Sequence, residues 1–190
     1  MSSLATPEQL QEAGIFVMKG YADPGLSRDF AQEWIEIFPQ TKAIEKAQAK
    51  NLQVARLGGV TAARFCKEDS TPDTPVTRRL LEVLGLHETN LALTLNYQLP
   101  HATQWLHPDS DKVVGAIQVL HGSGAGAFDF SLAETIEEAE NPDNILSIEG
   151  LDAGDLVLQS YAHVIHRGRN MSAFPRITMA MSLVRGLSVP

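Results

Sequence analysis

Residues 176–183 alternate without a break. Ile177, Met179, Met181 and Leu183 are large and apolar, and Arg176, Thr178, Ala180 and Ser182 between them carry a charge or are small. Side chains alternate across an extended strand, so the two sets occupy opposite faces. Residues 91–98 split in the same way, with Leu91, Leu93, Leu95 and Tyr97 opposite Ala92, Thr94, Asn96 and Gln98. Residues 113–122 read as another strand, and 154–160 and 163–167 as two short ones. The glycine-rich run 122–128 reads as a turn or flexible link. Short strands separated by turn signals predict a sandwich or barrel. Apolar faces opposite small polar ones suggest a barrel around a cavity. An antiparallel sheet with one wet face would alternate identically.

The first half is mixed, with helices prominent. Thr6-Pro7 is a helix start, since threonine caps and proline suits the first turn, and Gly14 is the stop. Residues 14–20 predict a strand. Asp23-Pro24 opens a second helix to about Phe38, with Leu26, Phe30, Trp34 and Ile37 on one face. Residues 41–50 predict a third helix or a helical loop, and 51–59 a strand ending in glycines. Thr74-Pro75 opens a further helix that ends at Gly85. The expected organisation is a single domain over 1–190, with a helical N-terminal region (residues 1–88) packing on a barrel core (residues 89–185).

Composition narrows the setting. The chain has 190 residues, 44% of them hydrophobic, enough for one real core. Cys66 is the only cysteine, so no intramolecular disulfide forms, and a reducing cytoplasmic setting is expected. The N-terminus lacks a basic-then-apolar leader, and no apolar run is long enough to span a bilayer. A net charge of −8 argues against nucleic acid as a partner. Arg56, Arg64, Lys67, Arg78 and Arg79 lie within one region, and their plain reading is solvated surface charge.

The chemistry lies in four residues. His107 and Asp109 stand two apart in Thr-Gln-Trp-Leu-His-Pro-Asp, and on an extended chain both reach one ion. His166 comes from a distant strand, and Arg176 follows ten residues later. Two histidines and a carboxylate bind one face of Fe(II) and leave the other open. A buried arginine grips a carboxylate with two parallel hydrogen bonds. By itself the His-x-Asp pair arises often by chance, and Pro108 is compatible with a plain surface turn; the distal histidine and the arginine give it meaning. Zinc takes the same three ligands in hydrolases, but a hydrolase has less need of Arg176. His163 is the alternative distal ligand, although on a strand it faces away from His166. Asn96 and Gln118 sit on polar strand faces, either near a co-substrate or purely structural. Trp105 and Arg64 are candidates for the substrate side, with a buried anchor as the equal alternative for Trp105. His121 precedes a glycine run that is no phosphate loop, because no Lys-Ser/Thr follows. Glu134, Glu137, Glu138 and Glu140 predict a short solvated helix.

The segment from His166 to Arg176, with Asn170 and Ser172 between them, resembles the closing motif of phytanoyl-CoA-hydroxylase-like dioxygenases. Residues 103–111 resemble that family's upstream His-x-Asp segment, and 14–30 are similar to its opening strand and helix. The resemblance implies a mainly β fold with flanking helices, the double-stranded β-helix, a jelly-roll, cupin-like barrel. It implies Fe(II) on His107, Asp109 and His166, and 2-oxoglutarate with its distal carboxylate on Arg176 and Thr178. The implied reaction is hydroxylation of a small organic substrate, with succinate and carbon dioxide as co-products. Asp109 occupies the place a halide would need, which argues against halogenation. Long substrate-covering insertions are lacking, so a bulky coenzyme A substrate is not expected. Asn96-Tyr97 ahead of the His-x-Asp is similar to nucleic-acid demethylases of the same superfamily, whose further C-terminal arginine has only Arg185 as a counterpart. A non-catalytic cupin-like ligand-binding barrel is the reading from another class.

Overall fold

The structure, a computed structural model, describes residues 3–37, 52–57, 60–65, 79, 82, 91–109, 113–121, 126–159 and 164–184. The short strand β1 (Ser3–Leu4) leads into helix α1 (Pro7–Glu12). Its cap is the reciprocal pair the sequence signals: Thr6 Oγ1 accepts from Gln9 N at 3.3 Å, and Gln9 Oε1 accepts from Thr6 N at 2.9 Å. Gly14, with φ +63°, turns the chain into β2 (Ile15–Met18). Asp23 accepts from Leu26 N at 2.9 Å and starts α2 (Pro24–Ile37), which buries Phe30 and Ala31.

Strands β3 (Leu52–Leu57), β4 (Val60–Phe65), β5 (Leu91–Gln98) and β6 (Val113–His121) follow. Then come β7 (Gly126–Ser131), the one-turn helix α3 (Ile136–Ala139) and β8 (Leu146–Leu151). The chain continues through β9 (Leu156–Gln159), β10 (Ile165–Asn170) and β11 (Arg176–Val184). They build a four-stranded sheet, β1-β8-β7-β10, and a seven-stranded sheet, β2-β9-β6-β11-β5-β4-β3. From β5 onward the chain keeps crossing between the sheets. Residues 103–107 bridge to β10, β6 returns to the large sheet, β7 and β8 lie in the small one, β9 returns, β10 crosses and β11 returns. This winding is a jelly roll, the form that the family resemblance implies and one of the sandwich or barrel arrangements expected from the alternating strands.

One apolar cluster draws Ile15 and Val157 from the large sheet and Phe128, Phe130, Leu146 and Leu151 from the small one. The sheets therefore face each other. The apolar face of β11 points outward, and α2 packs on β6 and β11. Ile177 and Met179 are accordingly fully buried.

Several expectations need correction. Residues 126–128, read as belonging to a flexible link, open β7, every residue of which is buried. Glycine is a turn signal in isolation, but here the small Gly126 and Ala127 let a strand lie covered on both sides. Strand β8 was not among the expected strands, although Leu146 and Ile148 alternate with Ser147 and Glu149 over its first four residues. The strands expected at 14–20 and 51–59 correspond to β2 and β3, while β1 and β4 were not anticipated; all four join the two sheets. Strand β10 begins at Ile165, just after Val164. The segment 41–50, His163 and most of 75–85 lie outside the described residues. Among the described residues no helix is long and apolar enough to cross a membrane.

The turn between β8 and β9 is docked on the start of α2. Ala22 N donates to Gly154 O at 2.9 Å. The buried Asp155 carboxylate accepts from Gly20 N (2.9 Å), Lys19 Nζ (2.7 Å) and Asp152 N (2.9 Å). Burial alone would raise the Asp155 carboxyl; Lys19 and the two backbone donors outweigh it and hold the group below its usual range. Gly154 has φ +87°, and a Cβ there would lie 2.3 Å from Ala22 O. Gly154→Ala is therefore expected to destabilise the fold by about 2–4 kcal/mol, from backbone strain plus overpacking. Chemical denaturation reads this, and an unchanged midpoint would mean that the turn is not docked as described.

Candidate functional site

Residues 103–109 run antiparallel to β10, with Thr103 opposite Arg169 and His107 opposite His166. Four steps along this segment match three along β10, so one residue is extra, as in a β-bulge. The consequence is chemical. Gln104 pairs with Gly168 through Gln104 N to Gly168 O at 3.1 Å, and His107 pairs with His166. Without the bulge an odd spacing of three would put Gln104 and His107 on opposite faces. With it, both join the face of β10 that carries His166 and Gly168, which looks into the barrel.

His107 and His166 exchange both backbone hydrogen bonds, at 3.0 and 2.9 Å. Their ring centroids are 4.8 Å apart, inclined at 47°. Each ring is oriented by its own strand: His107 Nδ1 lies 3.0 Å from Trp105 O, and His166 Nδ1 lies 2.9 Å from Val164 O. A carbonyl only accepts, so each Nδ1 carries a proton, and Nε2 is the nitrogen that these contacts leave uncommitted. His166 is 3% exposed and stacks on Phe128, with centroids 5.3 Å apart and 18° between planes. Burial holds the His166 pKa below its ordinary value; Asp109 and the Val164 carbonyl oppose this, and His107 reinforces it. His166 is thus neutral at neutral pH, the form in which imidazole binds a metal. Asp109 Oδ2 is buried without a hydrogen-bond partner. Among the described residues no three His, Cys, Asp or Glu side chains are already drawn into one closed cluster. The two imidazoles are adjacent, and Asp109 acts on His166 through its charge.

On the facing sheet, Arg176 and Thr178 are each 4% exposed and Gln98 1%. Arg176 Nε donates to Gln98 Oε1 at 2.9 Å. Arg176 Nη1 and Thr178 Oγ1 have no partner among the described residues. Burial lowers the Arg176 pKa to about 10, which leaves the side chain charged at neutral pH. Phe128, Leu151, Val157, Gly168, Arg176 and Thr178 line a small cavity between the sheets. A buried cation with unpaired donors beside a cavity is chemically suited to an anion.

The turn between β10 and β11 is stapled by Asn170, whose Nδ2 donates to Gln98 O (3.3 Å), Leu99 O (3.0 Å) and Phe174 O (2.7 Å). Ser172 Oγ donates to Phe174 O at 2.9 Å, and Ser172 N donates to Asn170 Oδ1 at 3.1 Å. Asn170 and Ser172, the two residues between His166 and Arg176 in the closing motif, therefore set where β11 begins and hence where Arg176 enters.

The remaining candidates fall as follows. Asn96 is half-buried and opposite Thr178 in the β5–β11 register. Gln118 lies between Ala180 and Val157 in register, on the row that includes the cavity wall. Trp105 is 53% exposed and meets the site through its carbonyl. Arg64 stands opposite Thr94 on β4. Sequence reasoning missed Gln98 and Gln104 as site residues. For Gln98 the signal was present, since it ends the polar face of β5.

No protein-family model matches the chain, and no curated protein matches it. Among solved structures it is similar to a Pseudomonas putida prolyl-4-hydroxylase, with TM-score 0.59 at 15% identity over 94% of this chain and 96% of that one. It also matches a portion of an oxalate decarboxylase from Lactobacillus farciminis in its formate complex, with TM-score 0.46 at 10% identity over 72% of this chain and 32% of that one. A Bacillus subtilis oxalate decarboxylase variant matches with TM-score 0.46 at 13% identity over 70% and 28%. At these identities the likeness is one of fold. It extends over nearly the whole hydroxylase chain and agrees with the strand order: the chain is a mainly β, double-stranded β-helix barrel with flanking helices.

Proposed function

We propose that the chain is a non-haem Fe(II)- and 2-oxoglutarate-dependent dioxygenase that oxidises a small organic substrate, hydroxylation being the default outcome. One observation carries this reading. Asp109 Oδ2, Arg176 Nη1 and Thr178 Oγ1 are buried without partners among the described residues, and they accompany two histidines whose Nε2 atoms the Nδ1 contacts leave uncommitted. An acceptor-only carboxylate and two imidazole nitrogens suit a cation, and a guanidinium and a hydroxyl suit a carboxylate. In this assignment His107, Asp109 and His166 hold the iron. Arg176 and Thr178 take the distal carboxylate of the oxo-acid. Bound Fe(II) supplies oxygen activation coupled to decarboxylation of 2-oxoglutarate to succinate and carbon dioxide. The chain's own residues bind, orient and keep dry: the Nδ1 contacts fix the imidazoles, and Phe128 walls the site from water. Trp105, half exposed beside His107, fits the substrate side, with Arg64 as a further candidate. The acidic net charge favours a small molecule over a nucleic acid.

The test is succinate formation by mass spectrometry, aerobic against anaerobic, with Fe(II), 2-oxoglutarate and a panel of small molecules. Slow succinate that requires iron and oxygen together is expected, accelerated by the true substrate. In parallel, His107→Ala and Asp109→Ala should each abolish stoichiometric Mn(II) binding in calorimetry while circular dichroism stays native. Unchanged affinity in either variant removes it from the ligand set. Zinc binding without any succinate would favour a hydrolase, and neither would favour a ligand-binding barrel.

A further inference from the structure

We propose that Gln98 is a positioning residue that sets which oxo-diacid the barrel accepts, by fixing which edge of Arg176 is offered to it. This rests on the reading of the cavity as an oxo-acid site. A guanidinium presents two accessible edges to a carboxylate, Nε with Nη2 and Nη1 with Nη2. Gln98 stands directly opposite Arg176 in the β5–β11 register, and its Oε1 accepts from Nε at 2.9 Å. That contact removes the first edge. It also fixes the amide, since only Oε1 can accept. Gln98 Nε2 is then turned toward Gly168, where a Cβ would lie 3.0 Å from it and 3.5 Å from Arg176 Nη2. Gly168 is the flat floor that leaves room for both side chains, and Gln104 Oε1 holds its N–H at 2.9 Å. The guanidinium is clamped from one side, and Nη1, still without a partner, is left for the ligand. A carboxylate must therefore approach end-on. The distance from that edge to the histidine pair then fixes the length of the acid that spans both.

The experiment titrates oxaloacetate, 2-oxoglutarate and 2-oxoadipate, with four, five and six carbons, into the full chain with Mn(II) by calorimetry. The unsubstituted protein is expected to prefer the five-carbon acid by about tenfold or more over the others, as one methylene in a fitted site allows. Gln98→Met keeps the volume and loses the acceptor, so the preference should shrink to about threefold or less. Gln98→Asn, one methylene too short to reach Nε, should flatten it likewise and serves as the second arm if the methionine variant does not fold. Gln98→Glu retains the acceptor and adds a negative charge, so it should keep the order of preference while binding all three acids more weakly. Undiminished selectivity in a folded Met or Asn variant overturns the inference. If the unsubstituted protein binds none of the three acids, the oxo-acid reading itself falls.

Discussion

Arg176→Ala is expected to weaken 2-oxoglutarate binding by about 2–5 kcal/mol, because a desolvated charge pair loses one partner. That corresponds to roughly thirtyfold to several thousandfold in Kd. Mn(II) affinity should change little, since the guanidinium touches Gln98 and the cavity, not the histidines. The pH dependence follows from burial, which brings the Arg176 pKa down to about 10. Below that value the side chain is charged and binds a carboxylate. As pH rises through it, the free protein loses the charge and affinity falls. Binding should be flat from neutral to about pH 9 and decline above, because a bound anion holds the proton on and the loss is progressive. Calorimetry across pH, with Mn(II) binding as the internal control, measures both effects. Equal affinity in Arg176→Ala and the unsubstituted protein would remove the co-substrate assignment and leave the metal site standing.

Arg176 and Thr178 were legible in the sequence because β11 alternates strictly, so its polar face could be written down residue by residue. His107, Asp109 and His166 were legible as residue types that serve few other purposes together. The pairing that sets His107 against His166 was not. The bulge in residues 103–109 depends on pairing with β10, a strand distant in sequence, and no local rule announces it. Gln104 therefore reads as facing away from His107 when it shares its face. Gln98 had the right position and no charge, and a neutral amide gains meaning only once its partner is known to be a buried cation. β7 and β8 were missed for another reason: Phe128-Asp129-Phe130-Ser131 and Leu146-Ser147-Ile148-Glu149 do alternate, but each run spans only four residues and lies close to glycines that read as turns.

Asp129→Ala is expected to destabilise the fold by roughly 3 kcal/mol, because it breaks a buried charge network at its centre. Asp129 is fully buried and accepts from Ser147 Oγ at 2.7 Å, Arg167 Nε at 2.8 Å and Arg169 Nε at 3.0 Å. Arg167 and Arg169 flank Gly168 on β10 and point away from the barrel, since His166 and Gly168 point into it. Arg167 stands opposite Asp129 in the β7–β10 register. The carboxylate therefore locks β10 on β7 from the outer face, while His166 lies on the inner face of the same strand. Arg169 also donates to Ser147 Oγ at 3.3 Å and lies 3.5 Å from Glu149, so β8 is tied into the cluster. Without Asp129 two guanidinium groups lose their shared acceptor. Both are partly exposed and regain some water, which keeps the loss toward the lower end of the range for buried pairs. For a chain of this size it corresponds to a fall in Tm of about 6–12 °C. Asp129→Asn keeps the volume and one acceptor oxygen, so roughly half that loss is expected. Thermal denaturation followed by circular dichroism checks both. A change within about 0.5 kcal/mol for Asp129→Ala, the range of an ordinary surface substitution, would show that β10 holds its register without the carboxylate.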